Sequence, residues 1–75
     1  MRTKTLDLKT KLDGFLVSTV YLKTDGFYET MVFPTFNNGK PDTSADVWSA
    51  RTRYERFARD NHERAVATYR KPKED

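Results

Sequence analysis

The stretch KLDGFLVSTVYLKTDGFYETMVF, residues 11–33, contains two Asp-Gly dipeptides, each followed by a phenylalanine and an apolar run. Asp-Gly between alternating runs is the strongest short-range signal for a β-hairpin, because a type I′ turn requires positive φ at both central residues. The twelve-residue spacing of the two units is too short for a solenoid repeat and suits one hairpin following another. The stretch therefore predicts an antiparallel meander with strands at 15–22 and 27–33.

A further strand is predicted on each side of this stretch. Residues 4–12 alternate between leucines and a lysine-rich polar side, which is typical of an edge strand. Residues 46–54 also alternate and predict a fourth strand, with Trp48 and Tyr54 on the parity expected to face the core. An early helix start with Asp46 as N-cap is an alternative interpretation. The polar stretch 37–44 between strands three and four predicts turns and a loop.

Residues 55–70 predict an amphipathic helix laid on the sheet. One side of this helix carries Phe57, Ala58, Asn61, His62, Ala65, Val66 and Tyr69. Pro72 ends the helix, because the residue before a proline is disfavoured in the α region. We therefore expect a single α+β domain over 1–70, with a small antiparallel β-meander of three to four strands and one C-terminal helix packed on one face, followed by a flexible tail at 71–75.

Both faces of the predicted meander carry large apolar side chains. Two-residue turns would place Leu12 beside Phe15 and Thr24 beside Phe27, so alternate residues fall on opposite faces. One helix covers about one face of a small sheet, and the second face therefore requires a protein partner. A three-residue second turn with a bulge would shift the register and make one face mostly polar. The predicted interface residues are Phe27, Tyr28, Met31 and Phe33.

The composition favours a small binding protein over an enzyme. The chain has 75 residues, no cysteine, one histidine and a formal net charge of +3. No carboxylate is spaced to work with His62, and neither Ser18 nor Ser49 has a glycine elbow around it. We therefore expect no catalytic residue, metal, cofactor or small-molecule ligand, and the absence of a spanning or signal segment predicts a soluble cytoplasmic protein without a membrane contact.

The excess of basic residues near the end of the chain supports an alternative function. These side chains could neutralise the phosphates of a nucleic acid. A solvated helix face is the simpler interpretation, since opposite charges four residues apart on the helix would offset part of the excess. The nucleic-acid candidates are Arg51, Arg53, Arg56, Arg59, Arg70 and Lys71.

Four short motifs resemble a family of small uncharacterised proteins of actinobacterial phages and prophages. They are VSTV at 17–20, YETMVF at 28–33, RY at 53–54 and HE at 62–63. The chain departs from the family in having only KTDG where members often have a longer loop, and in having Asn61 in place of glycine. The resemblance implies a phage accessory protein and no particular activity. Combined with the apolar faces, it predicts a protein-binding module in the host cytoplasm that self-associates, for example as a homodimer, or inhibits a host or defence protein.

Overall fold

The computed structural model of the protein describes residues 6–70 as one antiparallel sheet and one helix. The elements in chain order are β1 (Asp7–Leu12), β2 (Phe15–Leu22), β3 (Phe27–Pro34), β4 (Trp48–Thr52) and α1 (Glu55–Tyr69). Every strand pairs with its neighbour in sequence, so the sheet order is β1-β2-β3-β4. This arrangement confirms the predicted α+β meander, while the start of the first predicted strand and the predicted tail at 71–75 lie outside the described residues.

The first turn has the predicted register but not the predicted turn type. Leu12 pairs with Phe15, as a two-residue connection through Asp13 and Gly14 requires. Gly14 has a φ of 88°, whereas none of the described non-glycine residues has positive φ. The turn is therefore not type I′, which would need positive φ at Asp13 as well. Only Gly14 needs the left-handed conformation that glycine adopts without steric cost.

The second turn is longer than predicted. Leu22, and not Thr24, pairs across the hairpin with a residue at the start of β3, namely Phe27. The intervening four residues form a loop in which the backbone N–H of Gly26 donates to the carbonyl of Leu22 at 2.8 Å. The difference from the predicted register is two residues on one strand. Because side chains alternate with a period of two, the predicted division of residues between the two faces is unchanged.

The fourth strand is present, and the early helix start is not. β4 is shorter than the predicted strand and pairs antiparallel with β3. The helix begins at Glu55, after Tyr54 in the N-cap position with extended backbone and no side-chain capping bond. It ends at Tyr69, where the backbone N–H of Arg70 donates to the carbonyl of Val66 at 2.9 Å. The predicted helix is therefore confirmed to within one residue.

The core lies between the helix and one face of the sheet. Its fully buried centre consists of Val17 and Val32 from the two central strands and Ala65 from the helix. Around this centre pack the half-buried side chains of Leu12, Phe15, Trp48, Val66 and Tyr69. The rings of Phe15 and Tyr69 lie with centroids 5.1 Å apart.

Candidate protein interface

The face of the sheet opposite the helix carries a continuous apolar stripe. The strand register places alternate residues of β2 and β3 side by side on this face, in the pairs Leu16 with Phe33, Ser18 with Met31, Val20 with Glu29, and Leu22 with Phe27. The six apolar members, Leu16, Val20, Leu22, Phe27, Met31 and Phe33, are all half-buried. None of the other described elements lies over them, since α1 packs on the opposite side. We call this surface the open face.

Charged residues of the two edge strands border the stripe. On β1, Asp7, Lys9 and Lys11 point to the same side as the stripe, and the Lys9 ammonium forms an ion pair with the Asp7 carboxylate. On β4, Arg51 donates from Nε to Oε2 of Glu29 at 2.8 Å. Its guanidinium also lies 4.8 Å from the centroid of the Phe27 ring. The open face therefore has an apolar centre and a charged rim, the usual anatomy of a protein interface.

One of the four predicted interface residues does not lie on the open face. Phe27, Met31 and Phe33 do, but Tyr28 points towards the helix and is only 3% exposed. Its ring packs against that of Tyr21, with centroids 4.8 Å apart. The alternation of side chains along β3 requires this outcome, because Tyr28 has the opposite parity to Phe27. The structure therefore corrects the candidate set by removing Tyr28.

A polar network occupies the middle of the helix-covered core. His62 is 7% exposed, and hydrogen bonds of 2.8 Å join its Nδ1 to Oγ1 of Thr19 and its Nε2 to Oγ1 of Thr10. Oγ1 of Thr19 is also 2.8 Å from Oγ1 of Thr30. A hydroxyl both donates and accepts, so either neutral tautomer of the ring is compatible with these bonds. Every buried side-chain polar atom among residues 6–70 has a partner.

Burial favours the neutral form of His62 by lowering its pKa. Desolvation in the core is the largest cause that lowers its pKa below the ordinary value of 6.5, and the nearby charge of Lys9 lowers the pKa further. Glu63 acts in the opposite direction. Both ring nitrogens are engaged by threonine hydroxyls, so His62 has a structural role in the core. Nothing about the sequence near His62 indicates these threonine partners, which come from distant strands; the only signal was that all three threonines share the core parity.

The predicted basic residues do not form a single surface. Arg51 and Arg59 are engaged with carboxylates, since Arg59 Nε donates to Glu55 Oε2 at 3.1 Å. Arg53, Arg56 and Arg70 are exposed, and Lys71 lies beyond the described part of the chain. The five described candidates are therefore divided between the rim of the open face, the junction of β4 with α1, and the two ends of the helix.

Aromatic side chains accompany the arginines at the junction of β4 with α1. The alternation of residues 46–54 predicted that Tyr54 faces the core, but Tyr54 is 64% exposed and Phe57 is 43% exposed. The strand ends at Thr52, so its parity no longer determines the direction of Tyr54. The two rings meet edge to face at 5.7 Å, and the guanidinium of Arg56 lies 4.8 Å from the centroid of the Phe57 ring. We call Arg53, Tyr54, Arg56 and Phe57 the aromatic–arginine patch.

The described residues also form a depression with a volume of about 400 Å³. It lies between the first turn and the loop after β3, and it is lined by Leu12, Asp13, Gly14, Thr35, Phe36, Asn37 and Gly39. His62 is not among these residues. Within the described chain, no group of three or more His, Cys, Asp or Glu side chains is arranged to hold a metal ion. No helix in residues 6–70 is long and apolar enough to cross a bilayer.

Comparison with known proteins found no matching family model, no matching curated protein and no matching solved structure. The description of the surfaces therefore rests on the residues of this chain alone.

The buried histidine predicts that stability decreases on acidification. Because the folded state lowers the pKa of His62, the unfolded state binds the proton more readily, and stability that is fully present above pH 6.5 is lost as the pH falls below it. We expect the free energy of unfolding, measured in urea, to decrease between about pH 7.5 and about pH 5.5. As His62 is the only histidine, this decrease should be absent in His62→Gln.

The matched control is Asp60→Asn, which removes a charge from the exposed side of the same helix. This variant should keep the pH dependence of the original protein. An unchanged pH dependence in His62→Gln would show that the network does not exclude the protonated ring.

Proposed function

We propose that the protein is a protein-binding module that acts through the open face. The observation that carries this proposal is the stripe of six apolar side chains on the two central strands, which the helix leaves uncovered. Monomeric proteins rarely expose contiguous apolar patches larger than a few hundred Å². A partner that covers the stripe would remove this surface from water and gain the corresponding hydrophobic free energy.

The side chains of the stripe suit interface anchors. Phe27, Phe33 and Met31 project from strands that are paired on both sides, so their backbone positions are fixed before binding. Rigid aromatic groups and methionine are enriched at interface centres, where they supply large contact areas at a low cost in conformational entropy. The charged rim on β1 and β4 would then select the orientation of the partner rather than supply most of the affinity.

The proposal extends to a phage accessory protein, on the strength of the resemblance carried by the four short motifs. Such a protein would act in the host cytoplasm, on itself or on a host or defence protein. We assign no catalytic role to His62, because both of its ring nitrogens are engaged inside the core. The partner is therefore a protein surface with an apolar centre and complementary rim charges.

Met31→Lys should abolish the binding of the protein while leaving its fold intact. Met31 lies in the middle of the stripe between Ser18 and Ser49, where an ammonium group would have to be desolvated in any complex. We expect at least a tenfold loss of affinity, measured by sedimentation for self-association and by quantitative affinity capture from nuclease-treated host lysate for a foreign partner.

The matched control is Ala67→Lys, which introduces the same charge at an exposed position of the helix. This variant should bind like the original protein, and circular dichroism with urea unfolding should show that both variants remain folded. If the original protein neither self-associates nor retains a protein in a manner that Met31→Lys disrupts, the open face is not a protein interface.

The aromatic–arginine patch supports a second candidate function, which is binding of single-stranded nucleic acid. Exposed aromatic rings provide stacking surfaces for bases, and neighbouring guanidinium groups contact phosphates. Tyr54 and Phe57 are exposed and in contact with each other, and Arg56 lies against the Phe57 ring. This patch is separate from the apolar stripe, so the two candidate functions can be tested independently.

If this second function holds, a fluorescent single-stranded oligonucleotide should bind at about 50 mM salt and much more weakly at about 200 mM. Tyr54→Ala and Phe57→Ala should each reduce affinity by about tenfold, since one stacked base contributes about 1–3 kcal/mol. Phe36→Ala is the control, because Phe36 is 56% exposed and lies in the loop after β3, outside the patch. Fluorescence anisotropy without a change at low salt would contradict nucleic-acid binding.

A further inference from the structure

We propose that the occupant of the open face is a second copy of this chain, with the two sheets packed face to face about a two-fold axis that runs across the strands. This inference rests on the proposed function, since it uses the same surface and specifies its partner. Each strand would then lie over its own copy, running in the opposite direction. Sheets that pack in this way are about 10 Å apart, and their side chains interdigitate.

The parts of the chain beyond the described residues offer too little apolar surface to cover the stripe. Residues 1–5 have the sequence MRTKT, and residues 71–75 have the sequence KPKED. Met1 is the only large apolar side chain among these ten residues, and six of the ten are charged, at positions 2, 4, 71, 73, 74 and 75. These ten residues therefore cannot cover the six apolar side chains of the stripe.

The stripe is arranged almost symmetrically about the middle of the strands. Leu16 and Phe33 are paired at one end, and Leu22 and Phe27 are paired at the other. Each end therefore consists of one leucine on β2 and one phenylalanine on β3. Between the ends lie two mixed pairs, each of which has one apolar member, Met31 or Val20.

A two-fold axis across the strands exchanges the two ends of the stripe. Leu16 would face Leu22 of the second copy, and Phe33 would face Phe27 of the second copy. The apolar ends of the stripe in one copy thus meet the apolar ends of the stripe in the other. The two mixed pairs, Ser18 with Met31 and Val20 with Glu29, face each other across the axis. An interface between identical copies requires this kind of self-complementarity, since both chains contribute the same surface.

The rim charges on β1 are self-complementary under the same operation. Asp7 and Lys9 are two positions apart on this strand and point to the open face. The exchange of ends brings Lys9 opposite Asp7 of the second copy, and the two-fold axis generates this pair twice. The charges of the open face are also nearly balanced, with three basic and two acidic residues, so two copies do not strongly repel each other. They are Asp7, Lys9, Lys11, Glu29 and Arg51.

The size of the open face suggests a reversible dimer. The four strands are six, eight, eight and five residues long, and at a spacing of about 4.8 Å and about 3.3 Å per residue they give a footprint of about 430 Å² for each copy. The total of about 900 Å² is in the range of weak, transient complexes. We therefore expect a dissociation constant of about 100 µM, and sedimentation should span protein concentrations from about 1 µM to about 1 mM.

Two charge-reversal variants test both the dimer and its orientation. In dimers of Asp7→Lys, two basic side chains would face each other on β1, and in dimers of Lys9→Glu, two acidic side chains would do so. Each variant alone should dimerise about tenfold more weakly than the original protein, because two cross-chain pairs of exposed charges are replaced by repulsion.

An equimolar mixture of these two variants provides the decisive measurement. In the heterodimer, the reversed charge of one chain faces the reversed charge of the other, and the two original charges face each other, so both pairs become favourable. Native mass spectrometry should show the heterodimer well above the twofold excess over each homodimer that random pairing gives, with an affinity within about threefold of the original protein. Neither variant can restore the ion pair between Asp7 and Lys9 within its own chain, so this rescue reports only cross-chain contacts.

Asp60→Lys and Arg64→Glu serve as the matched control pair, with the same changes in net charge on the exposed side of α1. Each should dimerise like the original protein, and their mixture should show no preference for the heterodimer. A monomeric original protein, unaffected single variants or the same heterodimer preference in the control pair would each overturn the proposal. If the protein is monomeric but loses a captured protein on Met31→Lys substitution, the dimer is excluded and the binding module remains.

Discussion

One helix of 15 residues can cover only one face of a four-stranded sheet, and the helix therefore leaves the opposite face uncovered. Alternation along the strands divides the side chains between the two faces, and the helix packs over the face that contains Val17 and Val32. The other parity of the same strands is nearly as apolar, and its side chains include Leu16, Met31 and Phe33, which are half-buried. The open face is therefore a direct consequence of a sheet that is apolar on both sides and of a single helix within residues 6–70.

The helix-covered core depends on hydrogen bonds as well as on apolar contacts. His62 and its threonine partners occupy its middle, next to the small side chains of Ala58 and Ala65. Because hydrogen bonds are directional, this network fixes the position of the helix over the sheet more narrowly than apolar contacts alone would. A shift of the helix by one turn would leave buried polar atoms without partners, which costs about 1–3 kcal/mol for each atom.

Three of the four short motifs, VSTV, YETMVF and HE, meet in this network. VSTV contributes Thr19, YETMVF contributes Thr30, and HE contributes His62. Alternate residues of YETMVF point in opposite directions, so the same motif also supplies Met31 and Phe33 to the open face. The motif therefore combines two roles, one in the core and one at the surface. Its apolar character on both parities follows from this combination.

Local patterns were sufficient to predict the elements of the fold, and they failed where nonlocal contacts decide the outcome. The strands, the helix and the register of the first hairpin follow from alternation, helical periodicity and turn dipeptides. The length of the second turn did not, because Asp-Gly is compatible with both a two-residue and a four-residue connection. The exposure of Tyr54 was missed because parity applies only within a strand. The partners of His62 lie 43 and 52 residues away in sequence, beyond the reach of any periodic signal.

The most direct test of this account is the solvent accessibility of the Met31 methyl group, measured by NMR with ¹³C-methyl methionine and a soluble paramagnetic agent. Met31→Leu would assign its signal, and the exposed ring of Tyr54 would serve as a reference outside the interface. The account predicts that the Met31 methyl is broadened by the agent at about 10 µM protein and protected at about 1 mM, while the Tyr54 ring stays accessible throughout. A Met31 methyl that remains equally accessible at both concentrations would contradict burial of the open face by a second copy.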